Sequence, residues 1–521
     1  MIQNTSIRAS VNTVVLYAKL LLSTAIALFN VPLLLRALGV ENYGIFCIVG
    51  GVISLLMFLN STMSTATNRF LAVTDGKRGG LAEKQSMFLH CLYIHTLIAL
   101  ILLIGFEVIA LFFWDHLLNI AADRTFAAKI VFQTMAVTTF FTVATVPYNG
   151  IIIVKERMIF IAVLTFVVSV AKLGITFLLF TVSSDRLIAY AVLLMLIHLL
   201  ERIAYVGYAH YRANIRYYRL KPDPALLKEM ASFFGWNMSI NFSLSALYSV
   251  TSIFLNRFFG VLVNAAEGIA IQIAGQITGV CNCLQNAVTP IVMKKQGGEQ
   301  TDRALDITLT SCRMMVYLFL MTGITVFVEM PYLLKIWLKD VPDFAMGFCR
   351  LILVRILIDQ ASVPLEVLMK ANGNVMGVQF FSSVVILLTL GLEFMILWCG
   401  GVPYSAYFCM IGMMVAVGVV RVLAVKKHYG MRGWDFMRDV VLREAGVALC
   451  GMAAAWCLTL LMGASLLRCG LSFVLSVLVV GITVWSFGIT GKEREVFRSM
   501  FRQVFSKISG KKILQAGADN E

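Results

Sequence analysis

The sequence predicts an all-α integral membrane protein of about 14 transmembrane helices, with two six-helix lobes related by a parallel internal repeat and two extra C-terminal helices. Three observations carry this. Of 521 residues, 60% are hydrophobic and only 14% are charged, where an average soluble protein carries roughly 25% charge. Long apolar runs recur along the whole chain. Two local motifs recur at nearly the same offset, six runs apart. With a mean hydropathy of +0.86, the chain lacks the polar side chains to cover a soluble fold of this length. A soluble enzyme, a disordered protein and a secreted disulfide scaffold are excluded.

About 20 apolar residues cross a bilayer as a helix. Runs of that order fall at 11–35, 44–68, 87–113, 128–153, 158–181, 187–209, 231–256, 264–292, 306–330, 344–368, 376–399, 402–425, 440–464 and 469–490. The split within 376–425 rests on Cys399-Gly400-Gly401 and Pro403, residues that punctuate helices. The segment Met1 to Ser10 is polar, and no small-residue cleavage site follows the first run, so no cleavable signal peptide is expected. Beyond the last run, Phe497, Met500, Phe501, Val504, Phe505 and Ile508 repeat at helical spacing. Arg494, Arg498, Arg502 and Lys507 occupy other faces. This reads as an amphipathic helix lying on the membrane surface; a loosely held basic tail is the alternative.

The net charge is +15, from 43 Lys+Arg against 28 Asp+Glu. Basic residues concentrate at 69–84, 202–228, 421–443 and after Lys492. With the N-terminus cytoplasmic, about 30 of the 43 lie on the inner side and about 8 on the outer. Both termini are therefore expected in the cytoplasm, and nucleic acid is not expected as a partner. The 11 cysteines lie mostly within apolar runs, and Cys281-x-Cys283 lacks redox or zinc spacing, so no metal site is expected. No Walker A loop occurs, and the chain is not expected to be an enzyme.

The first run ends Arg36-Ala-Leu-Gly39-Val40, followed by Asn42 and Gly44-Ile45; the seventh ends Arg257-Phe-Phe-Gly260-Val261, followed by Asn264 and Gly268-Ile269. Val146-Pro147 in the fourth run is matched by Val363-Pro364 in the tenth, each followed by a lysine, Lys155 and Lys370. Six spans per repeat puts both halves in the membrane the same way round. The expected domains are 1–222, an N-terminal lobe with its basic linker; 223–430, the second lobe; 431–490, helices 13 and 14; and 491–521, the tail.

A polar side chain in a span must face protein or a wet cavity. Asn12, Lys19, Ser23 and Asn30 share one face of the first span. Asn237, Asn241, Ser245, Tyr248 and Ser252 share one face of the seventh. Ser54, Ser61, Thr65 and Asn68 cluster in the second span, and Gln272, Gln276 and Asn286 in the eighth. Such stripes serve either helix packing or the lining of a cleft. Each intramembrane charge costs roughly 2.5–3.5 kcal/mol on insertion scales. Lys19 and Lys172 have no acid three or four residues away and are candidates for binding an anion. Arg355 is a third candidate, unless Asp359, four residues on, neutralises it. Glu107, Asp359 and Glu267 are candidate coupling acids; Glu107, Glu267 and Glu393 also read as structural acids. No organic cofactor is expected, and H⁺ or Na⁺ is the candidate coupling ion.

Asn12, Pro32-Leu-Leu-Leu-Arg36-Ala-Leu-Gly39-Val-Glu-Asn-Tyr43-Gly44-Ile, Val146-Pro147 with Lys155-Glu156-Arg157, and Leu368-Met-Lys370-Ala-Asn-Gly373 carry a resemblance. The chain resembles the polysaccharide transporters, the O-antigen and exopolysaccharide flippases, of the multidrug/oligosaccharidyl-lipid/polysaccharide exporter superfamily. The resemblance implies alternating-access translocation of an undecaprenyl-pyrophosphate-linked oligosaccharide across the bacterial cytoplasmic membrane, in lipopolysaccharide, capsule or exopolysaccharide synthesis. A glycan polymerase complex is a candidate partner. Lys19, Lys172 and Arg355 would meet the pyrophosphate, and the amides and hydroxyls the sugars. Lipid II flippases and cation-coupled drug exporters of the same superfamily are the alternatives. Drug exporters usually have 12 spans and an acid in the first lobe, where this chain carries Lys19.

Overall fold

The computed structural model describes residues 22–23, 25–76, 80–116, 119–155, 157–213, 223–297, 300–338, 340–372, 375–491 and 493–494, with some side chains of α2, α8 and α9 left out of that description. Asn12, Lys19 and the expected tail helix fall outside it. Every described element is helical, and the chain is an all-α multi-span membrane protein. In chain order the helices are α1 (Ala25–Leu38), α2 (Val40–Gly76), α3 (Leu81–His116), α4 (Thr125–Ala144), α5 (Val146–Val154), α6 (Met158–Leu178) and α7 (Arg186–Ala213). There follow α8 (Pro224–Phe259), α9 (Val261–Gly297), α10 (Thr301–Val328), α11 (Met330–Leu338), α12 (Ala345–Gln360) and α13 (Val363–Ala371). The last are α14 (Val375–Trp398), α15 (Tyr404–Tyr429), α16 (Gly433–Phe436), α17 (Leu442–Leu461) and α18 (Leu466–Thr483).

Among the described residues, ten helices are long and apolar enough to cross a membrane, and the bent pair α1–α2 makes an eleventh. The sequence divides that pair into two spans. Two further expected spans fall on α8 and on α12 with α13. Of these, α12 has only 16 residues, too few to cross a membrane by itself.

The recurrent motifs mark the same backbone events. At Gly39 the chain turns by 119° between α1 and α2. Gly39 has φ +81° and Gly260, between α8 and α9, has φ +84°. Only glycine takes that conformation without strain. Each glycine N–H closes its helix on the carbonyl four residues back, Leu35 at 2.9 Å and Asn256 at 2.7 Å. The prolines also act alike. Pro147 and Pro364 lie in the first turn of α5 and α13, each of nine residues. A first-turn proline forfeits no helical hydrogen bond but cannot continue the helix before it.

The chain forms two compact units. The first holds Met1–Gln276, Leu333–Ile358 and Asn374–Val420; the second holds Ile277–Tyr332, Asp359–Gly373 and Arg421–Glu521. In the first, α2 packs closely against both α8 and α9. Lipid competes for apolar side chains, so close association needs small residues. A Cβ on Gly44 would collide with the Val261 carbonyl, and one on Gly268 with the Cys47 sulfur. The Ser54 and Ser249 hydroxyls are bonded at 3.0 Å across the same seam. Leu247, Ile386, Met410, Met413, Met414 and Val417 pack α8, α14 and α15 together.

In the second unit α10 is held to the last two helices. Tyr317 donates to the Gly488 carbonyl at 2.8 Å, and Thr325 donates to Ser476 at 3.2 Å. Arg468 pairs with the fully buried Glu329 at 2.6 Å. Arg313 is buried and pairs with Glu493. Two π-helical turns interrupt this part, Met437–Val441 before α17 and Val484–Gly488 after α18.

Candidate functional site

The first unit holds most of the expected site residues. Arg355, on α12, is 7% exposed. Its guanidinium carbon lies 5.3 Å from the centre of the Tyr248 ring on α8. Its Nε has no hydrogen-bond partner, and no carboxylate pairs with it among the described residues. The expected neutralisation by Asp359 is not observed, because Asp359 is bonded elsewhere. An aromatic face offsets part of the cost of a buried cation but supplies no counter-charge. The geometry leaves a guanidinium able to accept an anion.

Lys172 is half-buried on α6. Its carbonyl and the Asn30 side chain both accept from the Thr176 hydroxyl, at 3.1 and 2.7 Å, so the expected polar face of α1 meets that of α6. The Lys172 ammonium feels the charges of Glu201 and Arg202 on α7. Glu201 binds Arg202 at 2.7 Å and His198 at 3.1 Å. This charged group was missed in the sequence, although His198 and Glu201 at three-residue spacing inside a span are a usable signal. Ser23 on the first span is half-buried, and Gln272 and Gln276 on α9 are likewise half-buried. The side chains of Asn237 and Asn241 lie outside the described residues.

Two acids flank α8. Glu267, 2% exposed, accepts from Ser252 at 2.7 Å and from Asn264 at 3.3 Å. Asn264 also donates to the Ser252 carbonyl at 2.9 Å and accepts from Asn256 at 2.9 Å. The Asn119 backbone N–H closes the chain on Asn256 at 2.7 Å. On the other side, Glu393 is fully buried and accepts from Thr251 at 2.8 Å. Its second oxygen has no partner. Such carboxyls can exchange a proton or hold a small cation. Glu107 is exposed, with Gln133 donating to it at 3.1 Å.

In the second unit Asp359 belongs to a compact ion network. Arg421 binds Asp359 at 2.9 Å, Ser362 at 2.9 Å and Glu366 at 3.1 Å, and Lys370 binds Glu366 at 2.8 Å. Two cations match two acids. Arg421, only 7% exposed, counts in the sequence as part of a basic inner segment, but α15 runs on to Tyr429 and buries it.

These elements define a class: a multi-span, all-helical membrane fold whose long helices are broken at glycine and proline. The fold is shared with solved structures of transporters at low sequence identity. It is similar to the solved structure "Lipid II flippase MurJ, inward closed conformation", with TM-score 0.68 and 13% identity over 92% of this chain and 98% of that chain. It is also similar to an inward-facing multidrug resistance MATE family transporter, with TM-score 0.62 and 11% identity over 78% of this chain and 94% of that one. A third is a MOP superfamily transporter from Pyrococcus furiosus, with TM-score 0.53 and 12% identity over 78% and 96%. These neighbours are transporters, not enzymes. No family model matches the sequence, and no curated protein does.

Proposed function

We propose that this protein is a flippase that moves an undecaprenyl-pyrophosphate-linked oligosaccharide across the bacterial cytoplasmic membrane by alternating access. The observation that carries the reading is Arg355, a buried guanidinium with no carboxylate partner among the described residues. A pyrophosphate supplies the missing charge, and guanidinium geometry suits phosphate oxygens. Lys172 is the second cation for the same headgroup, and Lys19 a third. Asn12, Ser23, Asn30, Asn237, Asn241, Tyr248, Gln272 and Gln276 offer amides and hydroxyls to sugar, while the prenyl tail stays in lipid. The lobes are 1–222 and 223–430, and both termini are cytoplasmic. Glu267, buried and bonded only to neutral donors, is the acid best placed to take the coupling H⁺ or Na⁺, since Glu107 is exposed and Asp359 is paired with Arg421.

A second reading, lipid II as the substrate, is favoured by the near-complete coverage of the MurJ structure. One assay separates the two. Purified protein in proteoliposomes is given labelled undecaprenyl-pyrophosphate oligosaccharide or lipid II, and arrival in the other leaflet is followed. Loss of a charge-assisted contact of about 1.5–3 kcal/mol predicts a drop of roughly tenfold or more for Arg355→Gln and for Lys172→Ala. Wild-type rates in both variants sink the site assignment. Preference for lipid II over a peptide-free oligosaccharide lipid transfers the assignment to the second reading.

A further inference from the structure

The end of the second unit carries a feature that transport does not use. Both helices there widen into π turns, 437–441 and 484–488, and such turns recur at functional sites. A π turn leaves carbonyls outside the regular ladder, and here cationic or hydroxyl side chains take them. Arg313 holds the Asp439 carbonyl at 3.0 Å, Tyr317 that of Gly488 at 2.8 Å, and Arg443 that of Phe487 at 3.4 Å. Arg494 holds those of Trp485 and Ser486 at 2.7 and 3.1 Å.

Between the two turns lies an open cavity of about 520 Å³, lined by Arg438, Arg443, Ser486 and Thr490 on its polar side and by Leu442 and Phe487 on its apolar side. Arg438 and Arg443 share a single acid, Asp439, at 3.0 and 3.4 Å. Asp435 also acts on Arg438 from one turn away, and the Arg438 side chain is 61% exposed, its guanidinium open to a further anion. Phe487 lines the cavity, and two tryptophans lie close to its lining residues in the chain, at the ends of membrane-crossing helices. Trp434 is 67% exposed, Phe487 41%, and Trp485 42% with Arg494 5.8 Å from its ring centre. Tryptophan and arginine together at a helix end mark the headgroup layer of a bilayer.

We infer that the cavity between the two π turns binds the phosphodiester headgroup of an anionic membrane phospholipid, with its acyl chains along Leu442 and Phe487. The site includes neither Arg355 nor Lys172 and is independent of the transported substrate. Its job is to anchor the last two helices to the lipid layer.

The test uses the full-length protein in phosphatidylcholine nanodiscs doped with a few mole per cent of phosphatidylglycerol, with retained lipid counted by native mass spectrometry. Wild type is expected to keep at least one phosphatidylglycerol that Arg438→Ala retains about fivefold less, the size of one guanidinium at a charged surface. Ser486→Trp, which fills the cavity and leaves every arginine in place, is expected to lose the same lipid, while retained phosphatidylcholine does not change. Inorganic phosphate and glycerophosphate form the second arm and are expected to displace nothing at millimolar concentration. Equal phosphatidylglycerol retention in wild type and both variants overturns the proposal. So does displacement by free phosphate, which would make this a site for a soluble anion.

Discussion

Gly39 and Gly260 turn the chain at matched places in the repeat, yet the two corners are stabilised differently. At the first, Arg124 reaches Asp185 at 2.8 Å and Asn42 at 2.5 Å, with the charged pair 22% and 29% exposed. At the second, Ser252, Asn256, Asn264 and Glu267 form a cluster almost without exposure and without a cation among its hydrogen-bond partners. One backbone solution therefore accepts two kinds of polar support. A half-exposed ion pair contributes little because water screens it. A buried cluster contributes through the cost of breaking it, since each orphaned group keeps its desolvation penalty.

The largest expected effect comes from the seam both corners share. A Cβ on Gly44 meets the Val261 carbonyl, beside the second corner, so Gly44→Val forces backbone apart; about 3 kcal/mol or more of stability is expected to go, read as a lower melting temperature in detergent. Next is Glu267→Ala, which strands Ser252 and Asn264, at about 1–3 kcal/mol per unsatisfied group. Glu267→Gln keeps an acceptor and should fold nearly as wild type; if transport nonetheless falls, the carboxyl serves coupling and not only the corner. Gly39→Ala and Gly260→Ala are expected to cost about 1–2 kcal/mol each, since both impose the same left-handed conformation and neither meets a close neighbour. Unequal melting shifts for that pair would break the equivalence of the corners. Asp185→Asn should be smallest, within about 1 kcal/mol.

Outside the spans, Glu493 gives a pH test. Burial pushes its carboxyl up, but hydrogen bonds from Thr310 and the Thr490 N–H and the charge of Arg313 hold it below the ordinary 4.5. A lowered folded value means the stabilisation is present above pH 4.5 and fades as pH falls below it. Glu493→Gln should flatten that acid limb of a melting-temperature profile; an unchanged acid limb would remove Glu493 as its cause.

The sequence reads through Pro147 and Pro364, which it marks only as recurring motifs within the runs 128–153 and 344–368. It anticipates the positions of most helices and their ends at Gly39 and Gly260. These depend on local rules of length, apolarity and backbone preference. It does not anticipate which charges pair. Arg421 finds Asp359 across 62 residues and Arg468 finds Glu329 across 139. Nothing in local spacing encodes either choice. Asp359 four residues after Arg355 suggests a helical pair, but tertiary packing gives the acid to Arg421. The buried acid of the second corner is visible in the sequence as Glu267, whereas its partners Asn256 and Asn264 become meaningful only once α8 and α9 fold back on each other.

The pair Glu329–Arg468 also has a consequence in time. The acid leaves the ribosome before its partner, and the intervening 139 residues take about 7–28 s to make at 5–20 residues per second. Arg313 waits still longer for Glu493, 180 residues on. During that interval the nascent chain holds a fixed acid and a fixed base in α10 and its end, with neither neutralised. Arg468 and Glu493 thus arrive late as the counter-ions of α10 and its end.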